Sequence, residues 1–273
     1  MPSLERRGLP MWSARTEWLV YCTAMAFSML AIPLYRGEMS LNWDALNHHI
    51  YLGWVADRVR FDRDFWAAGS QSYQYPYLYW PVYRLYMSTF DGRWVGVIWV
   101  GLHTLAVPPV YWMVRLCISG ETWDVAGMRF AALLLSFLSP VLVAYSAVTS
   151  NDVLACIPLL WAMALAFSAC EQAASGRVSG LLCLSGLLAG ISVAFKWSNG
   201  PLAICLPLLW LWSPGTPVQR LRRCFLAGCC TVLACALTYL PWGWQLWREF
   251  GNPFYPFMDE WVAPLRDMLG WTP

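Results

Sequence analysis

Asp44, His48 and His49 stand in the run Asn-Trp-Asp-Ala-Leu-Asn-His-His, from Asn42 to His49. A carboxylate with imidazoles about one helical turn away is equipment for moving a proton. Asp44, Asn47, His48 and Tyr51 fall at i, i+3, i+4 and i+7, so a helix would show them on one face. Asn42 suits an N-cap, and the pattern predicts an amphipathic helix over Ala45 to Val59. Such a helix would lie in a membrane interface with one face toward a cavity. The plainer use of Asp44 is as a first-turn acid favoured by the helix dipole. Asp44 and His49 are also plausible ligands for a divalent cation, but their spacing is no recognised metal motif, so no metal site is assigned.

A second set of residues could hold a charged or sugar-like ligand. Lys196 is the only lysine and ends an apolar stretch. It would either meet a phosphate or simply snorkel to the interface. Asp152 and Asn151 open another apolar stretch. Arg58, Arg60 and Arg63 are candidate phosphate contacts or solvated charges. Asp57, Asp62 and Asp64 read as solvated turn acids. From Gln71 to Tyr83, Tyr73, Tyr75 and their neighbours form a dense aromatic segment. It is either an interfacial belt or a lining on which sugar C–H faces stack while Gln71 and the phenols bind hydroxyls.

The elements that must carry these residues are apolar. The chain is 59% hydrophobic and 12% charged, against about 25% charged for soluble domains. A polytopic, all-α membrane protein of one domain, residues 1–273, is expected. A net charge of +2 without basic runs gives no sign of nucleic-acid binding. Seven spans are predicted: Glu17 to Tyr35, Trp94 to Arg115, Gly127 to Val148, Val153 to Cys170, Gly180 to Phe195, Asn199 to Trp212, and Cys224 to Gly243. The fifth and sixth are shorter than the usual ~20 residues, so tilting or breaks are expected there. The first is too long for a signal-peptide core and lacks a small-x-small site before the charged loop, so a retained span is expected.

Arginines set the orientation. Segments 1–16, 116–126, 171–179 and 213–223 carry Arg6, Arg7, Arg15, Arg177, Arg220, Arg222 and Arg223 against Glu5, Glu121, Asp124 and Glu171. The positive-inside rule then places the N-terminus inside and the C-terminus outside. On the outer side fall the long loop 36–93, Asn151-Asp152, Lys196 and the tail 244–273. All ten cysteines sit in or beside predicted spans and read as small packing residues. Gly186-Leu-Leu-Ala-Gly190 predicts a close helix–helix contact.

These outer segments carry a resemblance. Asp44-Ala-Leu-Asn-His-His-Ile50 resembles the "DALNYHL" stretch of bacterial polytopic glycosyltransferases of the GT-C superfamily. Gln71 to Pro76 is similar to their "QxYxNP". Phe250-Gly-Asn-Pro-Phe-Tyr-Pro-Phe257, with Asn252, is similar to their "GNPFFPF" segment. The resemblance covers nearly the whole chain. Position 48 is His where Tyr is more usual, which leaves His49 to match the family's His. The chain also stops after the seventh predicted span, where members commonly continue, so it reads as short or truncated.

The resemblance implies transfer of a sugar from a polyprenyl-phosphate carrier to a glycan, lipid or protein acceptor. The setting would be the periplasmic side of a bacterial inner membrane. Asp44 would be the general base, with His48 and His49 in support. Lys196 or the arginines would neutralise the leaving phosphate. Asp152, Arg58, Arg60, Gln71, Tyr73, Tyr75 and Asn252 would bind substrate. A lipid-linked-sugar transporter or a non-catalytic membrane subunit is the alternative. An ionisable group in mid-span would favour transport, and no such charge stands out.

Overall fold

The computed structural model describes residues 12–146, 148–171 and 176–271. Glu5, Arg6, Arg7 and Pro273, and the side chains of Glu171 and Arg177, lie outside the described residues. The described residues are mostly helical, with one four-residue extended segment, β1 (Ala67–Ser70), among them. Among the described residues, five helices are long and apolar enough to cross a membrane: Ala14–Arg36, Gly92–Cys117, Asp152–Cys170, Val178–Phe195 and Pro217–Phe250.

α1 (Ala14–Arg36) starts at Ser13, whose side chain accepts from Thr16 N, and stops at Gly37 in the left-handed region. After α2 (Ile50–Val55) and α3 (Trp80–Tyr86) in the long loop, the second long helix is α4 (Gly92–His103), continued through a tight turn at Thr104–Ala106 into α5 (Val107–Cys117). Pro108 and Pro109 sit in the first turn of α5, where missing amide donors cost little. α8 (Asp152–Glu171) and α9 (Gly176–Phe195) pack on each other. α11 (Pro217–Phe250) is the longest at 34 residues. At 1.5 Å per residue it spans about 51 Å, well beyond a ~30 Å hydrocarbon core.

Two expected spans differ from continuous helices. Gly127 to Val148 is α6 (Trp123–Phe137) followed by α7 (Pro140–Tyr145). Ser139 caps α7 and Pro140 occupies its first turn, so the chain restarts rather than continues. Asn199 to Trp212 is α10 (Gly200–Cys205) running into a 3₁₀ stretch, Leu206–Trp212. Pro207 offers no amide to the turn before it, and a tighter winding results. The fifth expected span is longer than its apolar core suggested, because α9 begins at Gly176.

Charged clusters mark the two ends of the helix bundle. At one end Glu17, fully buried, accepts from Arg129 Nη1 (3.1 and 3.0 Å) and Arg115 Nη1 (3.3 Å). Arg129 also donates to the carbonyls of Ile118 and Gly120 (2.8 and 2.7 Å). A buried charge is tolerable only when paired and hydrogen-bonded, and this one is both. The other end gathers loop 36–91, loop 146–151, the turn after α9 and the tail after α11. There Trp242 Nε1 donates to Tyr73 O at 2.9 Å, and Trp99 Nε1 to Val148 O at 3.0 Å. The last turns of α11 thus leave the bundle and serve as a post for the long loop.

Candidate functional site

The loop helix begins as the sequence suggests and then departs from it. Asn42 Oδ1 accepts from Ala45 N at 2.9 Å, so Asn42 does the capping. Asp44 makes no side-chain capping bond, and its side chain is 48% exposed. Residues Ala45–His49 then wind as a π-helix, and α2 (Ile50–Val55) ends four residues before Val59. A π-turn is wider than an α-turn and is commonly found at functional sites. It turns both His48 and His49 inward, each 5% exposed.

His48 Nδ1 lies 4.0 Å from Asp44 Oδ1 and has no hydrogen-bond partner. The His49 ring stacks on Tyr79 at 4.8 Å, and its Nδ1 is 2.7 Å from Thr149 Oγ1. The two imidazoles meet edge to face at 4.3 Å. Burial lowers the pKa of His49 to about 3, with His48, when protonated, and Lys196 lowering it further against Asp152. Burial lowers His48 as well, Asp44 opposing and Lys196 assisting. Both rings are therefore neutral near pH 7. Tyr79 stays a neutral phenol: burial raises its pKa, as do nearby Asp152 and Asp44, against a bond with Asn151.

Lys196 is held, not free. Its ammonium pairs with Asp152 and reaches Asn151 Oδ1 at 3.4 Å. The other Asp152 oxygen accepts from Ser150. Below the lysine, Asn199 Nδ2 binds Ser192 Oγ (2.8 Å) and the Ala155 carbonyl (3.2 Å), tying α8 to α9. The ion pair separates two cavities. A cavity of about 240 Å³ is lined by Tyr73, Tyr75, Tyr79, Asn151, Lys196 and Trp197, and closed by Tyr239, Phe254 and Tyr255. A larger apolar groove of about 540 Å³ lies between α5, α6, α7 and α8, with Asp152 and Tyr145 among its few polar lining residues.

The other expected site residues serve this framework. Gln71 Oε1 accepts from Asn47 Nδ2 at 2.9 Å. Tyr73 and Tyr75 line the aromatic cavity, Tyr75 stacked with Tyr239 at 6.1 Å. Asn252, fully buried, braces the cavity's cover: Nδ2 donates to Phe257 O and Asp259 Oδ1, and Oδ1 accepts from Phe254 N. Arg60 is paired with Asp64 at 2.8 Å and lies over Trp54. Arg63 pairs with Asp62, Arg58 is exposed, and none of the three lines either cavity. Asp44 lines neither cavity as well. Thr149, Tyr79 and Trp197 join the site without having been singled out. Tyr79 was visible only as one of many tyrosines, and Thr149 gave no signal.

A divalent cation finds little here. Among the described residues no three His, Cys, Asp or Glu side chains stand together as a metal site. His48, not His49, is the imidazole beside Asp44, and two such groups are fewer than a stable site needs.

The fold and this cluster define a polytopic helical membrane protein with a polar, aromatic site at one end of its bundle. Comparison with protein-family models, with curated proteins and with solved structures gave no match.

Proposed function

We propose that this protein is a membrane glycosyltransferase that moves a sugar from a polyprenyl-phosphate carrier to an acceptor hydroxyl. The acceptor belongs to a glycan, a lipid or a protein. The site would face the periplasm of a bacterial inner membrane, with seven passes, the N-terminus cytoplasmic and the C-terminus periplasmic. One observation carries the reading: four segments far apart in sequence converge around an aromatic cavity. They are Tyr73 to Tyr79, Asn151, Phe195 to Ser198, and the turn Phe254 to Phe257, with His49 stacked behind Tyr79. Tyrosine faces and one ammonium are what a sugar phosphate needs on its two ends.

In this reading the reaction is a single displacement. The acceptor oxygen attacks the anomeric carbon as the bond from that carbon to the phosphate oxygen breaks. The acceptor proton passes to Asp44, and the polyprenyl phosphate leaves with the bond's electron pair. Lys196 offsets the charge growing on that phosphate. His49, neutral and stacked on Tyr79, braces the cavity wall, and His48, neutral and buried beside Asp44, makes no hydrogen bond to it. Since Asp44 lies outside the aromatic cavity, the acceptor would approach from the open outer face.

Replacing the base tests this. Asp44→Asn keeps the shape and removes proton acceptance, so turnover should fall about 10²–10⁴-fold at unchanged protein level. Sugar transfer by purified protein in nanodiscs is the measurement, and unaltered turnover would reject the assignment.

The alternative, a lipid-linked-sugar transporter or non-catalytic subunit, draws on two observations. Asp44 borders neither cavity. His103 is fully buried midway along Gly92–Cys117, with neither ring nitrogen hydrogen-bonded. An intramembrane imidazole is a usual functional element of transporters.

A further inference from the structure

The chain after α11 doubles back on the end of that helix. It forms α12 (Asp259–Met268), and Trp271, just beyond, meets Trp247 of α11 at 6.0 Å between ring centroids. Gly251 allows this approach, since a methyl there would run into Arg266 and Trp271. α12 has three sectors at helical spacing. The first faces the protein: Val262 is 8% exposed, and Arg266 pairs with Asp259 at 3.0 Å. Glu260 and Asp267 are exposed on the second. Trp261, Leu265 and Met268, at i, i+4 and i+7, make the third, with Trp261 85% and Met268 75% exposed.

The depth of α12 says what covers that third sector. On α11, Leu233, Leu237, Leu240 and Trp244 fall at i, i+4, i+7 and i+11 and are all exposed. Such a stripe is what a membrane helix turns to acyl chains. From Arg223, near the start of α11, to Trp244 is about 32 Å of helix, so Trp244 falls at the far edge of a ~30 Å hydrocarbon core. Trp247 stands about 4.5 Å beyond, within the headgroup layer. Its contact with Trp271 pins the end of α12 at that depth, where tryptophans gather. The cation of α12, Arg266, is already paired, and its exposed charges are acidic. The fit is therefore apolar insertion into a leaflet, not attraction to anionic headgroups.

We propose that α12 is an interfacial anchor. It lies in the headgroup layer at the site's end of the bundle, with Trp261, Leu265 and Met268 toward the acyl chains, and it thereby holds the cover of the aromatic cavity. The link is short. Asp259 Oδ1 accepts from Asn252 Nδ2 at 3.2 Å, and Asn252 Oδ1 accepts from Phe254 N at 2.9 Å in the turn that closes the cavity. The anchor rests on the membrane setting alone and stands with or without sugar transfer.

The test uses full-length protein in nanodiscs of phosphatidylethanolamine and phosphatidylglycerol. p-Benzoylphenylalanine replaces Leu265 or Met268 in the apolar sector, and Glu260 or Asp267 in the acidic one, one position at a time. After irradiation, mass spectrometry should find phospholipid adducts in the apolar sector at about tenfold or more the yield in the acidic one. Equal yields in both sectors, no lipid adducts in the apolar one, or crosslinks there to a second copy of the chain would each overturn the anchor. Amide hydrogen exchange in the same nanodiscs reads the link to the cover. Trp261→Glu with Met268→Glu should speed exchange at Phe254 and Phe257 by about tenfold or more. Trp261→Phe with Met268→Leu, still apolar, should exchange as wild type does. Turn exchange unchanged in the acidic pair, or equally fast in the apolar pair, would overturn the link.

Discussion

His49 shows how burial decides a side chain's use. An exposed imidazole titrates near 6.5, whereas His49 is pushed down to about 3 by burial, next to His48 and Lys196. Between those values the unfolded chain binds a proton that the folded chain refuses, so stability rises with pH across that window. The melting temperature in detergent should therefore fall as the pH drops from 7 toward 4. His49→Gln should flatten that slope, while losing about 1 kcal/mol at pH 7 with the Thr149 bond. A slope identical to wild type would show that other groups control acid sensitivity. Lys196 teaches a related lesson. Its sequence position offered an anchor or a phosphate contact, and the structure adds the acidic partner that holds it.

At the scale of elements, small residues let α9 and α11 approach. A methyl on Gly190 would run into Thr231 O, with Cys235 N at 2.8 Å and Ala234 Cβ at 2.9 Å. Gly186 faces Ala227 O and Cys230 in the same way. Gly190→Ala should cost about 1–3 kcal/mol through overpacking against rigid backbone. Gly228→Ala, on the same α11, meets nothing within 4 Å. It should leave stability unchanged or raise it by up to about 1 kcal/mol, since alanine is the better helix former. Thermal unfolding of both variants in one detergent compares them directly, and equal losses would deny the close crossing. The sequence showed this crossing because small residues four apart have few other uses in an apolar helix.

For the whole molecule, the alternation of ends is the main regularity. Glu17, Arg115 and Arg129 meet at one end, and Asp44, His49, Asp152 and Lys196 gather at the other. Arginine-rich connectors at the first end favour the cytoplasm there. A reporter active only outside the cytoplasm should give signal when fused at residue 273 and none when fused at Gly215. The reverse pattern would overturn the proposed orientation and put the site on the cytoplasmic face, against the transferase reading.

Composition and hydropathy alone determined that the chain is helical, apolar and suited to a membrane. A backbone in lipid must satisfy its own hydrogen bonds, and helices are the way a single apolar chain does so. The capping of Asn42 and the small-residue contact at Gly186 and Gly190 were equally local, and equally legible. Only the tertiary structure decided which polar groups meet. The pairing of Lys196 with Asp152 joins residues 44 apart, and that of His49 with Thr149 joins residues 100 apart. Neither leaves a periodic trace in the chain. The π-turn at Ala45–His49 and the break before α7 were likewise unreadable. Each trades regular helix for packing and hydrogen bonds with distant segments, and that balance is set only when those segments are in place.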